Sequence, residues 1–203
     1  MSAPYAVIIA GGQGQRLGGV RKRDIRIGGI RLIERVRQAL GAVNPPVLVA
    51  TGPGEAPVLD DGMLAIADLD GPVGGPLAGL AAAIEALQRR GIHQGIVVSA
   101  AVDTPFLPAG FGDAMAAALG DADAIYAAWG EAFYPPNAAW RIEALSALPG
   151  QVRDGTAPNS LKALYGRLKG TRLDWTAGYE RDPFANLNTL ADLTSLQRRA
   201  RGL

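Results

Sequence analysis

The chain has 203 residues, 48% of them apolar, and its 20 lysines and arginines nearly balance its 19 aspartates and glutamates. This composition predicts one globular domain over residues 1–203, with a buried core and without the net positive charge typical of nucleic-acid-binding proteins. With no cysteine and only His93, disulfides, thiolate zinc sites and multi-histidine metal cages are excluded, so a bound metal would be a hard, oxygen-liganded ion such as Mg²⁺.

The first residues of the chain read MSAPYAVIIAGG. Their apolar run is short and lacks the basic start of a signal peptide, and no later stretch has the length needed to cross a bilayer. We therefore expect a cytoplasmic protein without a membrane partner.

Short apolar runs alternate along the chain with longer segments of helical pattern. Strands are predicted at residues 5–10, 46–51, 63–67, 96–102, 122–129 and 172–176, and a further strand or edge segment at 132–140, whose prolines disfavour a central ladder. A small turn at residues 25–32 is predicted to lead into a helix that ends at about residue 40. Further helices are predicted at residues 78–88, 111–119, 159–168 and 190–201. This alternation predicts a three-layer α/β/α sandwich around a mostly parallel mixed sheet.

Glycine-rich or acidic segments directly follow several of these strands. Glycine loops occupy residues 11–19 and 71–79, and Asp103 follows the continuously apolar run 96–102. In a parallel sheet covered by helices on both faces, ligands bind beyond the carboxyl ends of the strands. We therefore expect both loops and Asp103 to meet at one edge of the sheet. The alternative for Asp103 is an ordinary turn before Pro105.

The first glycine loop runs into cations, with the sequence GGQGQRLGGVRKR at residues 11–23. It lacks the Gly-Lys-Ser/Thr of a P-loop, and Leu17 stands where a dinucleotide-binding fingerprint has its third glycine. Backbone N–H groups followed by cations indicate a nucleotidyltransferase, which holds a nucleoside triphosphate in this way. The alternative is a solvated basic loop. The residues assigned to this triphosphate site are Gly11, Gly12, Gly14, Arg16 and Lys22.

Several separated motifs together resemble the molybdenum cofactor guanylyltransferase (MobA) family. The segment IAGGQGQRLGGVRK at residues 9–22 resembles the family motif LAGG-x-x-x-R-M-G-x-x-K. Later motifs follow in the family's order: GPLAGL at 75–80, DTPFLP at 103–108, NSLKALYGRL at 159–168 with RLDW after it, and FANLNTLADL at 184–193. Their joint occurrence covers nearly the whole chain and is more specific than a glycine loop alone.

The resemblance implies a nucleotide-diphospho-sugar transferase (Rossmann-like) fold and an enzyme that uses GTP, Mg²⁺ and molybdopterin or its molybdenum form. Such an enzyme transfers GMP to the terminal phosphate of the pterin and releases pyrophosphate. That phosphate is already ionised near neutral pH, so positioning and charge neutralisation supply the catalysis without a histidine base. We expect a monomer that contacts molybdenum-insertion or molybdoenzyme chaperone proteins transiently. We do not expect it to bind nucleic acid.

The residues that the motifs and the resemblance assign fall into three sets. The catalytic residues are Arg16, Lys22 and Asp103, with Asp103 as the metal ligand. The nucleotide-binding residues are Ile9, Ala10, Gly11, Gly12, Gly14, Lys22, Asp70, Gly75, Pro76 and Asp103. The acceptor-binding residues are Pro135, Ser160, Lys162, Asn186 and Asn188.

Some of these assignments have direct competitors. Asp68 competes with Asp70 as the acid that contacts the nucleoside; the spacing does not decide between them, and Asp70 is chosen. Asn186 and Asn188 could serve only as caps of the last helix, with Thr189 as the other candidate cap. An edge-strand turn or a solvated helix end is the alternative role for Pro135, Ser160 and Lys162.

The sequence departs from the family pattern beside the lysine. Arg21 stands where an acid is usual, and Asp24 where an apolar residue is usual. These departures leave three alternatives to guanylyl transfer open. They are a cytidylyltransferase or another transferase with a different phosphorylated acceptor, a nucleotide-binding regulator without catalysis, and a nicotinamide oxidoreductase.

Overall fold

The computed structural model describes residues 2–11, 13–14, 20–52, 57 and 59–202. The strands are β1 (Tyr5–Ile9), β2 (Gln13–Gly14), β3 (Val20–Arg21), β4 (Arg26–Ile27), β5 (Ile30–Arg31), β6 (Val47–Ala50), β7 (Met63–Ile66), β8 (Ile96–Ala101), β9 (Ala124–Trp129), β10 (Ala132–Arg141) and β11 (Gly170–Asp174). The helices are α1 (Leu32–Leu40), α2 (Pro76–Gln88), α3 (Phe111–Ala118), α4 (Leu148–Asp154), α5 (Leu161–Tyr165) and α6 (Leu190–Ala200).

Within the described ranges, seven strands form one sheet in the order β11-β9-β10-β8-β1-β6-β7. β10 runs antiparallel to its neighbours β8 and β9, and the other strand pairs are parallel. β8 lies at the centre, as its almost entirely apolar sequence predicts for a strand with both faces covered. The hydroxyl of its polar residue, Ser99, has a hydrogen-bond partner there, because the indole N–H of Trp140 donates to it at 2.9 Å.

Helices cover the two faces of the sheet and give the predicted three-layer sandwich. Alternate residues of β1 point to opposite faces, with Ile8 in one apolar cluster and Val7 in the other. The cluster around Ile8 includes apolar residues of α1, α3 and α6, and the cluster around Val7 includes those of α2, α4 and α5. None of the helices within the described part of the chain is long and apolar enough to cross a membrane.

The segment predicted as a strand or edge segment, β10, is an interior strand, so the edge interpretation is wrong. Its pairing register with β9 shifts between Tyr134 and Ala138, and Pro135 and Pro136 lie inside this irregular stretch. A bulge removes the need for ladder N–H groups that proline cannot supply. β10 therefore tolerates its prolines although it is paired on both sides.

Two helices differ from the sequence prediction. The helix predicted over 159–168 is helical only at α5, since Ser160 caps its start by accepting from the Ala163 N–H and Gly166 follows its end. α4 was not predicted, because it contains Pro149 and Gly150. Proline is tolerated there since it lies in the first turn, where its missing N–H has no helical partner.

Candidate active site

A cavity of about 280 Å³ opens at the carboxyl edge of the parallel strands. Its lining includes the end of β1, the end of β8 and residues 133–137 of β10, together with Lys22, Pro76 and Asn186. The prediction that the first glycine loop, the second loop and Asp103 meet at one edge is thus confirmed for Gly11, Pro76 and Asp103.

Asp103 is held at this cavity by the turn that ends β8. The buried Thr104 hydroxyl donates to the Ala101 carbonyl at 2.7 Å, which fixes the turn. The Asp103 carbonyl accepts the Leu187 N–H at 2.9 Å and so holds residues 186–188 beside it. Because main-chain bonds on both sides define its backbone, the Asp103 carboxylate projects into the cavity from a fixed position.

Lys22 reaches the same carboxylate from the other side of the cavity. Its ammonium donates to Asp103 Oδ2 and to Asn188 Oδ1, both at 2.7 Å. The Lys22 and Asp103 side chains are only 17% and 19% exposed, so this ion pair is not the solvated basic run of the alternative interpretation. Asp24 does not compete for Lys22 in this arrangement, since its carboxylate lies 3.7 Å from Arg23 Nε and is half-exposed.

The cap of α6 is Thr189, which leaves Asn188 available to the site. The Thr189 hydroxyl accepts from the Asp192 N–H, while Asp192 Oδ2 accepts from the Asn188 and Thr189 N–H groups. This capping box occupies the backbone of Asn188 and not its side chain. Asn186 lines the cavity directly.

Sequence reasoning missed Tyr134, Asn137 and Asp182, which fix the walls of the cavity. The side chain of Asn137 is buried, and its Oδ1 accepts from the Ala101 N–H at 2.8 Å, where the β10 bulge interrupts the ladder. The Tyr134 hydroxyl donates to the Asp182 carboxylate, whose Oδ1 accepts from the Phe184 N–H. Polar residues next to the two prolines and before the FANLN motif were the available signal in the sequence.

The side of the site that the sequence predicts for the nucleotide lies at the ends of β1 and β6. A Cβ on Gly11 would come within 2.9 Å of the Gly52 nitrogen and 3.1 Å of Asp68 Oδ2, so only glycine fits there without displacement. Asp68 Oδ1 accepts from the Gly52 N–H at 3.1 Å. Asp70 is exposed. The geometry therefore favours Asp68 over the predicted Asp70 as the acid beside Gly11.

Burial raises the pKa of the Asp68 carboxyl, and the hydrogen bond from Gly52 only partly opposes this effect. A raised folded-state pKa means that Asp68 favours folding below its unfolded-state pKa and loses that contribution as the pH rises through the folded-state pKa. We expect Asp68→Asn, which keeps the acceptor for Gly52, to be more stable than the wild type at neutral pH.

Urea unfolding of Asp68→Asn and the wild type at neutral and mildly acidic pH measures this difference, which should shrink as the pH falls through the raised pKa. Asp70→Asn is the matched control and should leave the unfolding midpoint unchanged, because Asp70 is exposed. A variant less stable than the wild type at neutral pH would show that the loop needs the ionised carboxylate of Asp68.

The remaining predicted residues lie around the cavity or outside the described ranges. The Pro135 carbonyl accepts the Tyr165 hydroxyl at 3.1 Å, and the Lys162 ammonium lies 5.3 Å from the centre of the Phe133 ring. Gly75 precedes α2 with a φ of 69°. Gly14 pairs with Val20 between β2 and β3. Gly12 and Arg16 lie outside the described residues.

Side-chain oxygens of Asp103 and Asn188 lie on either side of the Lys22 ammonium. Among the residues that the structure describes, no group of three or more His, Asp and Glu side chains is arranged to hold a metal ion. Asp103 Oδ2 and Asn188 Oδ1 nevertheless both lie 2.7 Å from one ammonium nitrogen, which marks a position suited to a cation. Carboxylate and amide oxygens fit a hard ion such as Mg²⁺, with phosphate and water as its further ligands.

Comparison with known proteins supports the resemblance seen in the motifs. The family model of the MobA-like NTP transferase domain matches residues 6–170. The chain is 34% identical to the molybdenum cofactor guanylyltransferase of Acidiphilium cryptum, over 95% of this chain and 93% of the relative. It is 33% identical to the molybdenum cofactor guanylyltransferase of Rhodobacter capsulatus, over 96% of this chain and 95% of the relative.

Solved structures support the fold. Molybdopterin-guanine dinucleotide biosynthesis protein A from Archaeoglobus fulgidus matches with a TM-score of 0.70 at 20% identity, over 98% of this chain and 100% of that one. The 2-C-methyl-D-erythritol 4-phosphate cytidylyltransferase from Thermus thermophilus matches with a TM-score of 0.68 at 20% identity, with the same coverage. Both likenesses agree with the predicted sandwich. The family-model match over residues 6–170 and the 34% identity to a curated relative show that the chain belongs to the MobA-like NTP transferase family.

Proposed function

We propose that this protein transfers GMP from GTP to the terminal phosphate of molybdopterin, with or without bound molybdenum, and releases pyrophosphate. The observation that carries the proposal is the contact of Lys22 with Asp103 and Asn188 at the carboxyl edge of the sheet, in a chain related to molybdenum cofactor guanylyltransferases. A cation and a carboxylate at this edge suit the handling of phosphate, and the lack of a histidine base is no obstacle to it.

In the proposed reaction, an oxygen of the pterin phosphate forms a bond to the α-phosphorus of GTP. The bond from that phosphorus to the bridging oxygen of the β-phosphate breaks, and the electron pair leaves with pyrophosphate. No proton has to be removed from the attacking oxygen, because a phosphate monoester is ionised near neutral pH. The residues of the protein therefore contribute by orienting two anions and reducing the repulsion between them.

The residues divide this work as follows in our proposal. Gly11 and Asp68 contact the nucleoside, Lys22 neutralises the phosphates, and Asp103 with Asn188 holds Mg²⁺. Bound Mg²⁺ would supply further positive charge at the phosphoryl oxygens. Arg16 retains its predicted role at the phosphates. Pro135 and Asn186 are proposed on the acceptor side, because both line the cavity with Asp103, whereas Asp68 does not line it.

The proposal is tested by mixing the purified protein with molybdopterin, Mg²⁺ and each of GTP, CTP, ATP and UTP. We expect pyrophosphate and a guanine dinucleotide of the pterin, identified by mass spectrometry, with GTP alone. A clear preference for CTP would assign the protein to the alternative cytidylyl transfer. Binding of GTP without pyrophosphate release would favour the regulator, and binding of reduced nicotinamide dinucleotide without Mg²⁺ would favour the oxidoreductase.

A further inference from the structure

One wall of the cavity belongs to β10, the antiparallel strand. Ala138 of β10 pairs with Ser99 of β8, so the residues before Asn137 extend past the end of β8 at Ala101. At about 3.3 Å per residue, the stretch 133–137 reaches on the order of 10 Å beyond Asn137. This projecting wall gives the cavity a length that a phosphate group alone does not need.

Phe133 lies at the outer end of this wall and lines the same cavity as Asp103. It is 41% exposed, whereas the other aromatic residues of the chain are buried or half-buried. Its ring meets Tyr126 in an edge-to-face contact with a centroid distance of 5.9 Å. Tyr126 in turn packs on Tyr165 at 4.8 Å, so the support beneath Phe133 is rigid.

The charge next to Phe133 is positive. The Lys162 ammonium lies 5.3 Å from the centre of the ring. Lys162 is exposed, and it forms no ion pair with the acidic residues in the described ranges. An aromatic surface with a mobile cation beside it suits a planar heterocycle that carries an anionic group.

The position of Phe133 separates it from the nucleoside. Asp68 and Gly11 mark the nucleotide side at the ends of β1 and β6, whereas Phe133 lies on β10. In the sheet, β8 and β1 stand between β10 and β6, and Asp103 follows β8. A substrate that reaches from the reacting phosphate near Asp103 to Phe133 therefore runs away from the guanosine.

We propose that Phe133 is the stacking surface for the planar ring of the acceptor, with Lys162 beside it as a cation for an anionic group close to that ring. This inference rests on the proposed function, since it gives the acceptor a heterocycle and a terminal phosphate at opposite ends. It makes Phe133 a specificity-determining residue for acceptors with a planar heterocycle, and it predicts that phosphorylated acceptors without such a ring bind weakly.

The test uses 6-hydroxymethylpterin monophosphate as the probe, with binding measured by isothermal titration calorimetry for the full chain. Removing a stacking side chain weakens the binding of a base by about tenfold or more, and we expect this loss for Phe133→Ala. Phe133→Tyr keeps the ring and should bind the probe as the wild type does. GTP affinity should be unchanged in both variants, and glycerol 3-phosphate should bind equally weakly to all of them.

Leu64→Ala is the matched control, because Leu64 on the edge strand β7 is 43% exposed, close to the 41% of Phe133. It should leave probe binding unchanged. Four results would each overturn the proposal. Phe133→Ala could bind the probe as the wild type does, or the wild type could fail to bind the probe at all. Phe133→Tyr could lose as much probe affinity as Phe133→Ala, or GTP affinity could fall as much as probe affinity.

Pyrophosphate release by the wild type from GTP and molybdopterin, measured in parallel, tests the proposed function separately. If that release is absent while Phe133→Ala still weakens probe binding, guanylyl transfer is refuted and the stacking surface stands. If release is normal and Phe133→Ala binds the probe as the wild type does, the stacking surface alone is refuted.

Discussion

Asp103→Asn is expected to lower the rate of pyrophosphate release on the order of a thousandfold, the scale found when one charge-stabilising group is removed from an active site. The amide keeps the size of the carboxylate and an oxygen that can accept from Lys22, but it lacks the negative charge that would hold a divalent cation. The rate loss should therefore arise from the charge alone.

The fold should survive the Asp103→Asn change, because the hydrogen bonds that define the turn use main-chain atoms of Ala101 and Asp103 and the hydroxyl of Thr104. Losing the ion pair with Lys22 should cost about 1 kcal/mol or less, and so lower the melting temperature by only a few degrees. Rates measured with saturating substrates, thermal unfolding and Mn²⁺ binding by electron paramagnetic resonance check these expectations.

Asp121→Asn, which changes an exposed acid on the surface, is the control for Asp103→Asn and should retain wild-type activity. Near-normal turnover in Asp103→Asn would falsify the assignment of Asp103 as the metal ligand. A collapse of the melting temperature together with the activity would show that the carboxylate is needed for the fold.

Lys22→Met is expected to weaken GTP binding by roughly tenfold to a hundredfold, the range that corresponds to one hydrogen bond to a charged group. The thioether side chain of methionine has a length similar to that of lysine but no charge. The same variant should bind Mn²⁺ more tightly than the wild type in the absence of nucleotide. The reason is that the ammonium no longer occupies the position between Asp103 Oδ2 and Asn188 Oδ1.

Calorimetric titration with GTP and Mn²⁺ titration of the nucleotide-free protein measure the two effects of Lys22→Met. Lys169→Met, at an exposed lysine, is the charge-matched control and should change neither affinity. An unchanged GTP affinity in Lys22→Met would argue against a phosphate contact. Weaker Mn²⁺ binding would show that the ammonium does not compete with the cation.

The two lysine effects have opposite directions, and this makes the pair of measurements informative. A variant that is merely destabilised would lose affinity for both ligands. Opposite changes are expected only if Lys22 exchanges Asp103 for phosphate when the nucleotide binds. The 2.7 Å contact of Lys22 with Asp103 is then the resting arrangement of the site.

Much of the fold could be predicted from local sequence. The apolar run of β8 predicted a central strand with Asp103 just beyond its carboxyl end, because a strand covered on both faces is apolar on both of them. β10 could not be placed in the same way. Its prolines disfavour a central ladder, and the bulge that accommodates them forms only when β8 and β9 pair on either side.

The sequence by itself determined the family, the sandwich and the short motifs of the site, since these depend on the hydrophobic pattern and on residues that are close in the chain. Only the tertiary structure decided which side chains meet. Lys22 contacts Asp103 and Asn188 at sequence separations of 81 and 166 residues, and no local rule specifies such pairs. It also distinguished Asp68 from Asp70, because burial depends on how the loop at Gly11 and Gly52 packs over one carboxylate and leaves the other in water.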